Sequence, residues 1–316
     1  MDRKGQLRCA VLSMMLILHS SCRQEYIPDA AETAMISISV DADTFETRAD
    51  SMEDRIHDLN LLIFENGEVH MSVWKDNFNE GRFEVPLRKG ERYSIYAFAN
   101  LGKKIHVLYH EDLKEEFIKV AAPALSDSGI PMISEKKEII VRDGMSVNLE
   151  LTRFAAKVSI RMDRSRLDKD VALKVIRAGI GNCPAFLSLT GVNRIESRFD
   201  CIENGHTLYA EDCTPLNTAG KGGLSGEVQL YTWENMQGDF PVPISEDEEK
   251  VFDPDDPLAE TCTFVELEIE YSSEELTSYD SNLIYRFYLG DGLDNLDVER
   301  NCHYSITVCP EGDGLS

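Results

Sequence analysis

The sequence is poor in positive charge. It has 32 Lys and Arg residues against 57 Asp and Glu residues, which gives a formal net charge of -25 at pH 7. Nucleic acids and anionic membranes are bound through basic faces, and the sequence offers no stretch that could form one. The composition therefore argues against nucleic acid as a partner and favours a solvated acidic surface, with a calcium-binding surface as the alternative.

The sequence also lacks the motifs of the common enzyme classes. It contains no G-x-S-x-G elbow, no H-E-x-x-H, no Walker loop and no dinucleotide fingerprint. Lys221 lies in a glycine-rich loop, but the earlier glycine and the following Ser or Thr of a phosphate-binding loop are absent. We therefore expect no catalytic residue and no cofactor.

Metal-ligand spacings are scarce as well. His106 and His110 are close enough to share a metal on one helix, but they lie on either side of a predicted helix start, which favours surface or capping roles. The acidic loop at residues 253–257 suits a hard cation but lacks the alternating ligand spacing and closing glutamate of a calcium loop. A solvated turn is the favoured interpretation, and the sequence predicts no bound metal.

The cysteines predict disulfide bonds rather than a zinc site. No C-x-x-C pair, the usual zinc-ligand spacing, occurs in the chain. Apart from two near the N-terminus, the cysteines all lie in the second half of the chain: Cys183, Cys201, Cys213, Cys262, Cys302 and Cys309. An even number in an exported protein fits disulfides, although six cysteines allow fifteen connectivities. Cys302 and Cys309 point to opposite faces of one predicted strand and should not pair with each other.

The N-terminal apolar run is too short to cross a bilayer and predicts a signal peptide instead. Basic residues precede about ten apolar ones, the order of a signal sequence. The run ends in Leu-His-Ser-Ser-Cys, which resembles a bacterial lipobox with Cys22 as the acylated residue, although Leu18 lies one place too early. We expect removal of residues 1–21, lipid on Cys22 and a tether at residues 22–34. Cleavage by an ordinary signal peptidase is the alternative.

The rest of the chain reads as two β-rich halves that meet at Arg153. Before this residue, apolar and polar residues alternate over residues 147–151, which is the period of a strand with one buried face. After it the apolar positions change parity, and one strand cannot keep a single core partner across such a slip. We therefore predict domains at residues 35–153 and 154–316, which fits 316 residues at about 150 per domain.

The first half predicts antiparallel strands joined by short turns. Suitable apolar segments are found at residues 36–40, 56–64, 69–74, 82–87, 92–99 and 137–141. Residues 110–120 predict the one convincing helix of this half, with its apolar residues on one side. Residues 42–53 and 121–132 predict loops, and the first of these loops contains Arg48.

The second half predicts another antiparallel sandwich. Strands are expected at residues 171–180, 226–233, 265–271, 284–289 and 303–308. The third of these has the clearest alternation in the chain, with Glu266, Glu268 and Glu270 all on one face. Residues 181–225 are rich in Gly, Asn and Ser and predict a long irregular excursion.

Several segments, spread along nearly the whole mature chain, carry a family resemblance. They are Leu-Asn-Leu-Leu-Ile-Phe-Glu-Asn-Gly at 59–67, Tyr-Ser-Ile-Tyr-Ala-Phe-Ala-Asn-Leu-Gly at 93–102, Leu-Thr-Arg-Phe-Ala-Ala-Lys-Val at 151–158, Tyr-Thr-Trp-Glu-Asn-Met-Gln-Gly at 231–238, and Tyr-Leu-Gly at 288–290 with Arg-Asn-Cys-His-Tyr at 300–304. In this order they resemble the fimbrillin-type fimbrial proteins of Bacteroidales, particularly the minor subunits described as anchor or tip proteins.

The resemblance implies an all-β fold of two tandem transthyretin-like antiparallel β-sandwich domains with one or two short helices. It implies export as a lipoprotein, a place on the outer membrane at the cell surface, and assembly with other fimbrial subunits. It also implies that the chain performs no catalysis. A host or bacterial surface receptor is the further partner that such a subunit could have.

The resemblance also gives a role to the loop after the first strand. Fimbrillins are matured by an arginine-specific cut that frees an early strand, and Arg48 is where this chain could be cut. A partner's extended segment could then complete the open sandwich by β-augmentation. A cut chain would be a shaft or tip subunit, and an uncut chain with lipid on Cys22 would be an anchor. The alternative for Arg48 is an ordinary solvated loop residue.

Two other functions are compatible with the sequence. An outer-membrane glycan-binding lipoprotein would use exposed aromatic side chains, for which Trp74, Trp233 and Tyr231 are the candidates, although their places in predicted strands favour the core. A hydrolase would need a site assembled from dispersed residues, which no motif indicates.

Overall fold

The computed structural model is built almost wholly of β-strands. It describes residues 32–42, 53–78, 81–123, 129–202, 205–218, 220–240, 250, 252, 256–273, 282–292 and 294–315. The strands in these segments are β1 Thr33–Ala42, β2 Leu59–Glu65, β3 Glu68–Lys75, β4 Arg82–Arg88, β5 Arg92–Ala99, β6 Phe117–Lys119, β7 Met132–Ser134, β8 Lys137–Ile140, β9 Ser146–Arg153, β10 Ala155–Met162, β11 Val171–Gly181, β12 Cys183–Pro184, β13 Phe186–Ser188, β14 Cys201–Ile202, β15 Thr207–Tyr209, β16 Val228–Trp233, β17 Phe264–Ser273, β18 Asn282–Tyr288 and β19 His303–Val308. The predicted all-β fold is confirmed.

Helices contribute little to this architecture. The only α-helix in the described segments is α1, Thr214–Asn217, and it is accompanied by short 3-10 helices. No helix in this part of the chain is long and apolar enough to cross a membrane.

One eight-stranded sheet forms the first half of the chain. Its order is β3-β2-β5-β7-β9-β1-β4, and β8 pairs with β5 beside β7. Alternate residues of its strands, from Ile36 and Ile38 in β1 to Leu149 and Leu151 in β9, meet in one core. A sheet can share one core with itself only by folding over. This half is therefore a sandwich, and its two layers remain joined through β7, which pairs with both β5 and β9.

The change of apolar parity at Arg153 coincides with a break between two strands. β9 ends at Arg153 and β10 begins at Ala155. Leu151 belongs to the core of the first half, whereas Val158 and Ile160 belong to a second core. One continuous stretch of chain therefore contributes side chains to two cores.

Two sheets form the second half. β16-β10-β19 make a three-stranded sheet, and β15-β11-β17-β18 make a four-stranded sheet. Inward residues of both sheets, such as Val158, Leu230 and Leu267, pack into the largest core of the molecule. This core continues to the outer face of β2 and β5 through Leu62 and Phe98, so the two halves are packed against each other.

The predicted helix at residues 110–120 is wrong. The chain forms a 3-10 helix at His110–Lys114 and then strand β6. β6 pairs with β13 of the second half, where Ile118 lies opposite Leu187 and both side chains are buried. Pairing with a distant strand therefore outweighs the local helical pattern.

Very short strands account for the other differences from prediction. β7 begins at the end of the predicted loop 121–132, and β12 to β15 lie within residues 181–225, which we expected to be irregular. All three residues of β7 are buried, so it shows no alternation. Periodicity cannot identify strands of this length.

Candidate strand-exchange site

Strand β1 lies inside the sheet and has a neighbour on each side. It pairs antiparallel with β4 and parallel with β9. Within the described segments, β4 pairs with no other strand. Removal of β1 would therefore leave a slot between two unpaired strand edges.

The buried face of β1 holds it in this slot. Its alternate apolar residues point into the first core and are almost fully buried: Ala34, Ile36, Ile38 and Val40. On the outer face, the hydroxyl of Ser39 donates to Oδ1 of Asn148 on β9 at 2.6 Å. β1 is held mainly by its alternating apolar side chains and by its backbone hydrogen bonds to β4 and β9. Another extended segment with the same alternation could make the same contacts.

Arg153 ties the two halves together where β9 passes into β10. Its side chain is 0% exposed. Nε donates to the carbonyl oxygen of Glu53 at 3.1 Å, Nη1 donates to Oδ1 of Asn301 at 2.8 Å, and the guanidinium forms an ion pair with Asp54. Glu53 and Asp54 belong to the first half and Asn301 belongs to the second. A buried charge needs such partners, and here both halves supply them.

Glu53 makes two further contacts with the second half. Its carboxylate accepts hydrogen bonds from Nζ of Lys157 on β10 at 3.0 Å and from the hydroxyl of Tyr231 on β16 at 2.5 Å. The chain is therefore fixed at Glu53 against two strands. We call these residues the junction cluster: Glu53, Asp54, Arg153, Lys157, Tyr231 and Asn301.

The residues that follow the junction cluster are fixed as well. The side chain of Asn100 accepts a hydrogen bond from the amide of His57 and donates to the carbonyl oxygen of Arg55, both at 2.8 Å. The carboxylate of Asp58 accepts the amides of the two residues after Asn100, and burial raises the pKa of this carboxyl. The chain from Glu53 to Asp58 thus has its own attachments, independent of β1.

Two predicted site residues lie outside the described segments. They are Cys22, the predicted lipid attachment site, and Arg48, the predicted cleavage site. Arg48 is bracketed in sequence by described structure, because β1 ends at Ala42 and the junction cluster begins at Glu53. A cut at Arg48 would fall between β1 and the junction cluster.

The six cysteines of the second half are free thiols, so the predicted disulfides are not present in the structure. Two of the three buried thiols contact an oxygen: Cys183 accepts a hydrogen bond from the hydroxyl of Thr232, and Cys213 donates to the carbonyl of Leu208, both at 3.7 Å. Burial raises the pKa of Cys183 to about 11. Cys302 and Cys309 flank β19 at its two ends.

The described residues contain no group of three or more His, Cys, Asp or Glu side chains suited to a metal ion. Nε2 of His110 lies 2.7 Å from the hydroxyl of Tyr96, and burial lowers the pKa of this histidine. His106 is exposed. In the acidic loop, Asp256 accepts the amide of Leu258 at 2.9 Å and so caps a 3-10 helix, while residues 253–255 lie outside the described segments.

The carboxylate face predicted on β17 is matched by basic residues of the neighbouring strands. Glu266 pairs with Arg177 on β11 and with Arg286 on β18, and Glu270 pairs with Lys174 on β11. The face is therefore a ladder of cross-strand ion pairs. The sequence could not show this, because the basic partners come from other strands.

A serine, a histidine and a carboxylate meet in the second half, but not as a hydrolase needs them. Oγ of Ser159 lies 2.8 Å from Nε2 of His303 and donates to Oε1 of Glu227 at 3.0 Å. In a catalytic triad the carboxylate binds the histidine, and the serine faces the substrate. Here the carboxylate binds the serine, and Ser159 is 1% exposed. The geometry is that of a buried structural contact.

Two of the three aromatic residues considered for glycan binding lie in the core. Tyr231 and Trp233 are buried, and the indole N–H of Trp233 donates to the carbonyl oxygen of Ala121 at 2.9 Å. Trp74 on β3 is half-buried. Buried rings cannot stack on a sugar, so Trp74 alone is left to support the glycan-binding interpretation.

No pattern in the sequence indicates that Glu53, Asp54 and Asn301 contact Arg153. One signal was present: Arg153 shares the parity of the inward-facing residues at 147–151, so the pattern places a positive charge on the buried face of β9. A buried charge requires partners. The sequence gives no indication of which distant residues they are.

Solved structures share this fold over most of their length. A putative cell adhesion protein from Parabacteroides distasonis is 16% identical, with a TM-score of 0.59 and coverage of 89% of each chain. The tip fimbrial protein Mfa3 from Porphyromonas gingivalis, solved with a C-terminal truncation, is 15% identical, with a TM-score of 0.54 and coverage of 87% of this chain and 94% of that chain. A fimbrilin from the same species is 10% identical, with a TM-score of 0.53 and coverage of 90% and 91%.

Comparison of sequences adds one partial match. The family model described as Domain of unknown function (DUF4906) matches residues 230–308, a range that includes β17 to β19. No curated protein matches the chain. The resemblance found in the sequence is confirmed at the level of structure: the chain has the β-sandwich fold of fimbrial and cell-adhesion proteins of Bacteroidales.

Proposed function

We propose that the chain is a subunit of a surface fimbrium and assembles by exchange of β1. The position of β1 carries this proposal. The strand is paired on both sides, yet its C-terminal end joins the rest of the chain only through residues 43–52. The fold shared with fimbrial proteins supports an assembly role.

A cut at Arg48 would separate β1 from the body of the subunit. The body would keep its structure near the cut, because Glu53 remains bound to Lys157 and Tyr231, and Asn100 still holds the chain at Arg55 and His57. The cut would therefore release one strand without loosening the residues that follow it.

β1 would not leave by itself. Full burial of Ile36, Ile38 and Val40 stabilises it by roughly 5 to 9 kcal/mol, at about 1.5–3 kcal/mol per side chain, and backbone ladders on both sides add to this. A partner segment with the same alternation would recover these contributions on insertion. The expected result of cleavage is therefore exchange for a partner's strand rather than an empty slot.

The uncut chain would serve as an anchor. We propose that residues 1–21 are a signal peptide, that Cys22 carries lipid, and that residues 35–153 and 154–316 are the two domains of a subunit on the outer membrane at the cell surface. The partners are other fimbrial subunits, and we assign no catalytic activity to the chain.

Digestion with an arginine-specific protease tests the cut. Protein that starts at Arg23 should be cleaved first after Arg48, and mass spectrometry should show Ala49 as the new N-terminus. Arg48→Gln should abolish this cleavage. The matched control is Arg55→Gln, because Arg55 is an exposed arginine on fixed backbone, and it should leave the cleavage unchanged. First cleavage at Arg55 would contradict the proposal.

A labelled peptide with the sequence of residues 33–42 tests the exchange. Cut protein should take it up, whereas uncut protein should not, because its own β1 occupies the slot. A matched peptide carrying Ile38→Asp should not bind, since it would place a charge in the core. Equal uptake by cut and uncut protein, or uptake by neither, would overturn the exchange mechanism.

Mass spectrometry of the native N-terminus from isolated outer membranes separates the two forms. An acylated Cys22 identifies an anchor, and a start at Ala49 identifies a processed shaft or tip subunit. An unmodified start elsewhere contradicts the proposed attachment to the membrane.

A further inference from the structure

The outer face of β1 fits its neighbours less well than the buried face does. Ala34, Ile36, Ile38 and Val40 fill the core, whereas the residues between them point outward and are at least partly exposed. The strands on either side, β4 and β9, are the two walls of the slot, and their registers with β1 define which side chain lies beside each outward residue. The charges of the walls can therefore be compared with those of the strand between them.

The wall formed by β4 is charged where β1 is neutral. Glu84 lies directly opposite Ser37, and Arg82 lies directly opposite Ser39. Both charged side chains are exposed, and neither forms an ion pair with any residue that the structure describes. Side chains directly opposite each other on one face of a sheet interact closely, and here β1 offers neither charge an opposite one.

The wall formed by β9 adds a repulsive contact. Asp41 lies directly opposite Glu150, and both side chains are exposed. Like charges in this arrangement destabilise a sheet. Ser39 does make a favourable contact with this wall, because its hydroxyl donates to Oδ1 of Asn148 at 2.6 Å. However, none of the outward residues Ser37, Ser39 and Asp41 complements the charge that lies opposite it.

We propose that the strand that replaces β1 is a segment of another fimbrial subunit whose outward residues supply the charges that β1 lacks. It would place a basic residue opposite Glu84, an acidic residue opposite Arg82 and a basic residue opposite Glu150, with apolar residues at the positions between them. The acidic residue would also accept a hydrogen bond from the side-chain amide of Asn148, which lies on the other side of the same position. This inference rests on the proposed exchange of β1.

The mismatched charges give the exchange a direction. While β1 is joined to the rest of the chain, its high effective concentration keeps it in the slot without help from its outer face. After a cut at Arg48, a segment with matched charges would make contacts that β1 does not make, and its apolar residues would fill the same core. Exchange would therefore favour a different subunit over a second copy of this chain, whose β1 has the same mismatches.

Substitutions in the uncut chain test the charges of the walls without any exchange. The matched variant carries Ser37→Lys, Ser39→Glu and Asp41→Lys. Its control carries Ser37→Glu, Ser39→Lys and Asp41→Lys, and so has the same net charge with two charges interchanged. In urea denaturation, the equilibrium constant for unfolding should be about tenfold smaller in the matched variant than in the control. Equal constants would overturn the proposal.

Competition between two peptides tests the choice of the incoming strand. Protein cut at Arg48 is mixed with labelled peptides of residues 33–42 that carry the matched or the control substitutions. The matched peptide should bind about tenfold more tightly. The two peptides have the same composition, so the general attraction of a basic peptide to an acidic protein is the same for both. Concentrated salt should reduce the difference, because it screens exposed charges.

Reversal of the charges on β4 completes the test. In the double variant Arg82→Glu and Glu84→Lys, two exposed side chains exchange their charges, so the control peptide should now bind more tightly than the matched one. An unchanged preference would overturn the proposal. Equal affinity of the two peptides for unaltered cut protein would also overturn it but would leave the exchange of β1 intact. Uptake of neither peptide would overturn the exchange of β1 and this inference with it.

Discussion

In the first half of the molecule a strand joins the two layers of the sandwich, whereas none of the described strands does so in the second half. β7 joins the two layers of the first half, and β1 fills the slot between β4 and β9. The second half has the same succession of strands but lacks a counterpart of β7 among the described residues. The proposed exchange of β1 therefore concerns the half in which the described strands form one continuous sheet.

The comparison depends on a firm connection between the halves. They share the largest core, to which Leu62 and Phe98 contribute from the first half, and they share the junction cluster around Arg153. A firm connection would let a force on a strand bound in the first half pass to the second half. The largest effects of substitution are therefore expected in the junction cluster.

Replacement of Arg153 is expected to destabilise the protein most. Arg153→Met keeps much of the volume but leaves Asp54 and Asn301 without their buried cationic partner. Loss of one member of a buried ion pair costs about 3–5 kcal/mol. Urea denaturation at neutral pH measures this loss.

Arg161→Met is the matched control for Arg153→Met. Arg161 lies on β10, its side chain is 46% exposed, and it pairs with Glu227. Exposed pairs contribute about 0–1 kcal/mol, so this change should have little effect. Equal losses in the two variants would show that the junction cluster does not hold the halves together.

The buried face of β1 and the partly buried face of β18 should differ in sensitivity to truncation. Ile38→Ala removes a fully buried side chain from β1 and should cost about 2–5 kcal/mol. Leu283→Ala, in β18, removes a side chain that is already partly hydrated and should cost about 1 kcal/mol. Urea denaturation of both variants compares them directly. A cost for Leu283→Ala as large as that for Ile38→Ala would mean that Leu283 is fully buried in solution.

The sequence predicts the parts of the fold that depend on local alternation. β9 ends at Arg153, where the apolar positions change parity, and β10 begins at Ala155. β17 has the alternation expected of residues 265–271. Neighbouring residues form the period-two pattern, so no tertiary information is needed to find it. β1 was found in this way, and with it the strand on which the proposed exchange depends.

The sequence does not predict features that depend on distant partners. Phe117–Lys119 follows a helical pattern locally but pairs with Phe186–Ser188. Glu53 looks like an ordinary loop residue, although it binds Lys157 and Tyr231 in the other half.

The smallest expected effect is a loss of stability in mild acid, and it should come mainly from the second half. Nδ1 of His206 accepts the amide of Tyr231 at 3.0 Å, and burial lowers the pKa of this histidine below its ordinary value of 6.5, with Asp212 opposing the shift. Burial lowers the pKa of His110 in the first half as well. Protonated His206 would lose its bond, since an amide can only donate. His110 could keep its contact, since the hydroxyl of Tyr96 can turn and accept.

The sign of the pH dependence follows from these lowered pKa values. Between the folded and unfolded pKa the unfolded chain binds more protons, so stability is intact above about pH 6.5 and declines as the pH falls below it. Urea midpoints at pH 7 and about pH 5.5 measure the decline. The loss of stability on acidification should be smaller in His206→Gln than in the matched variant His110→Gln. This comparison does not depend on how much stability each substitution removes at pH 7. An undiminished decline in His206→Gln would show that this buried histidine is not the group that titrates.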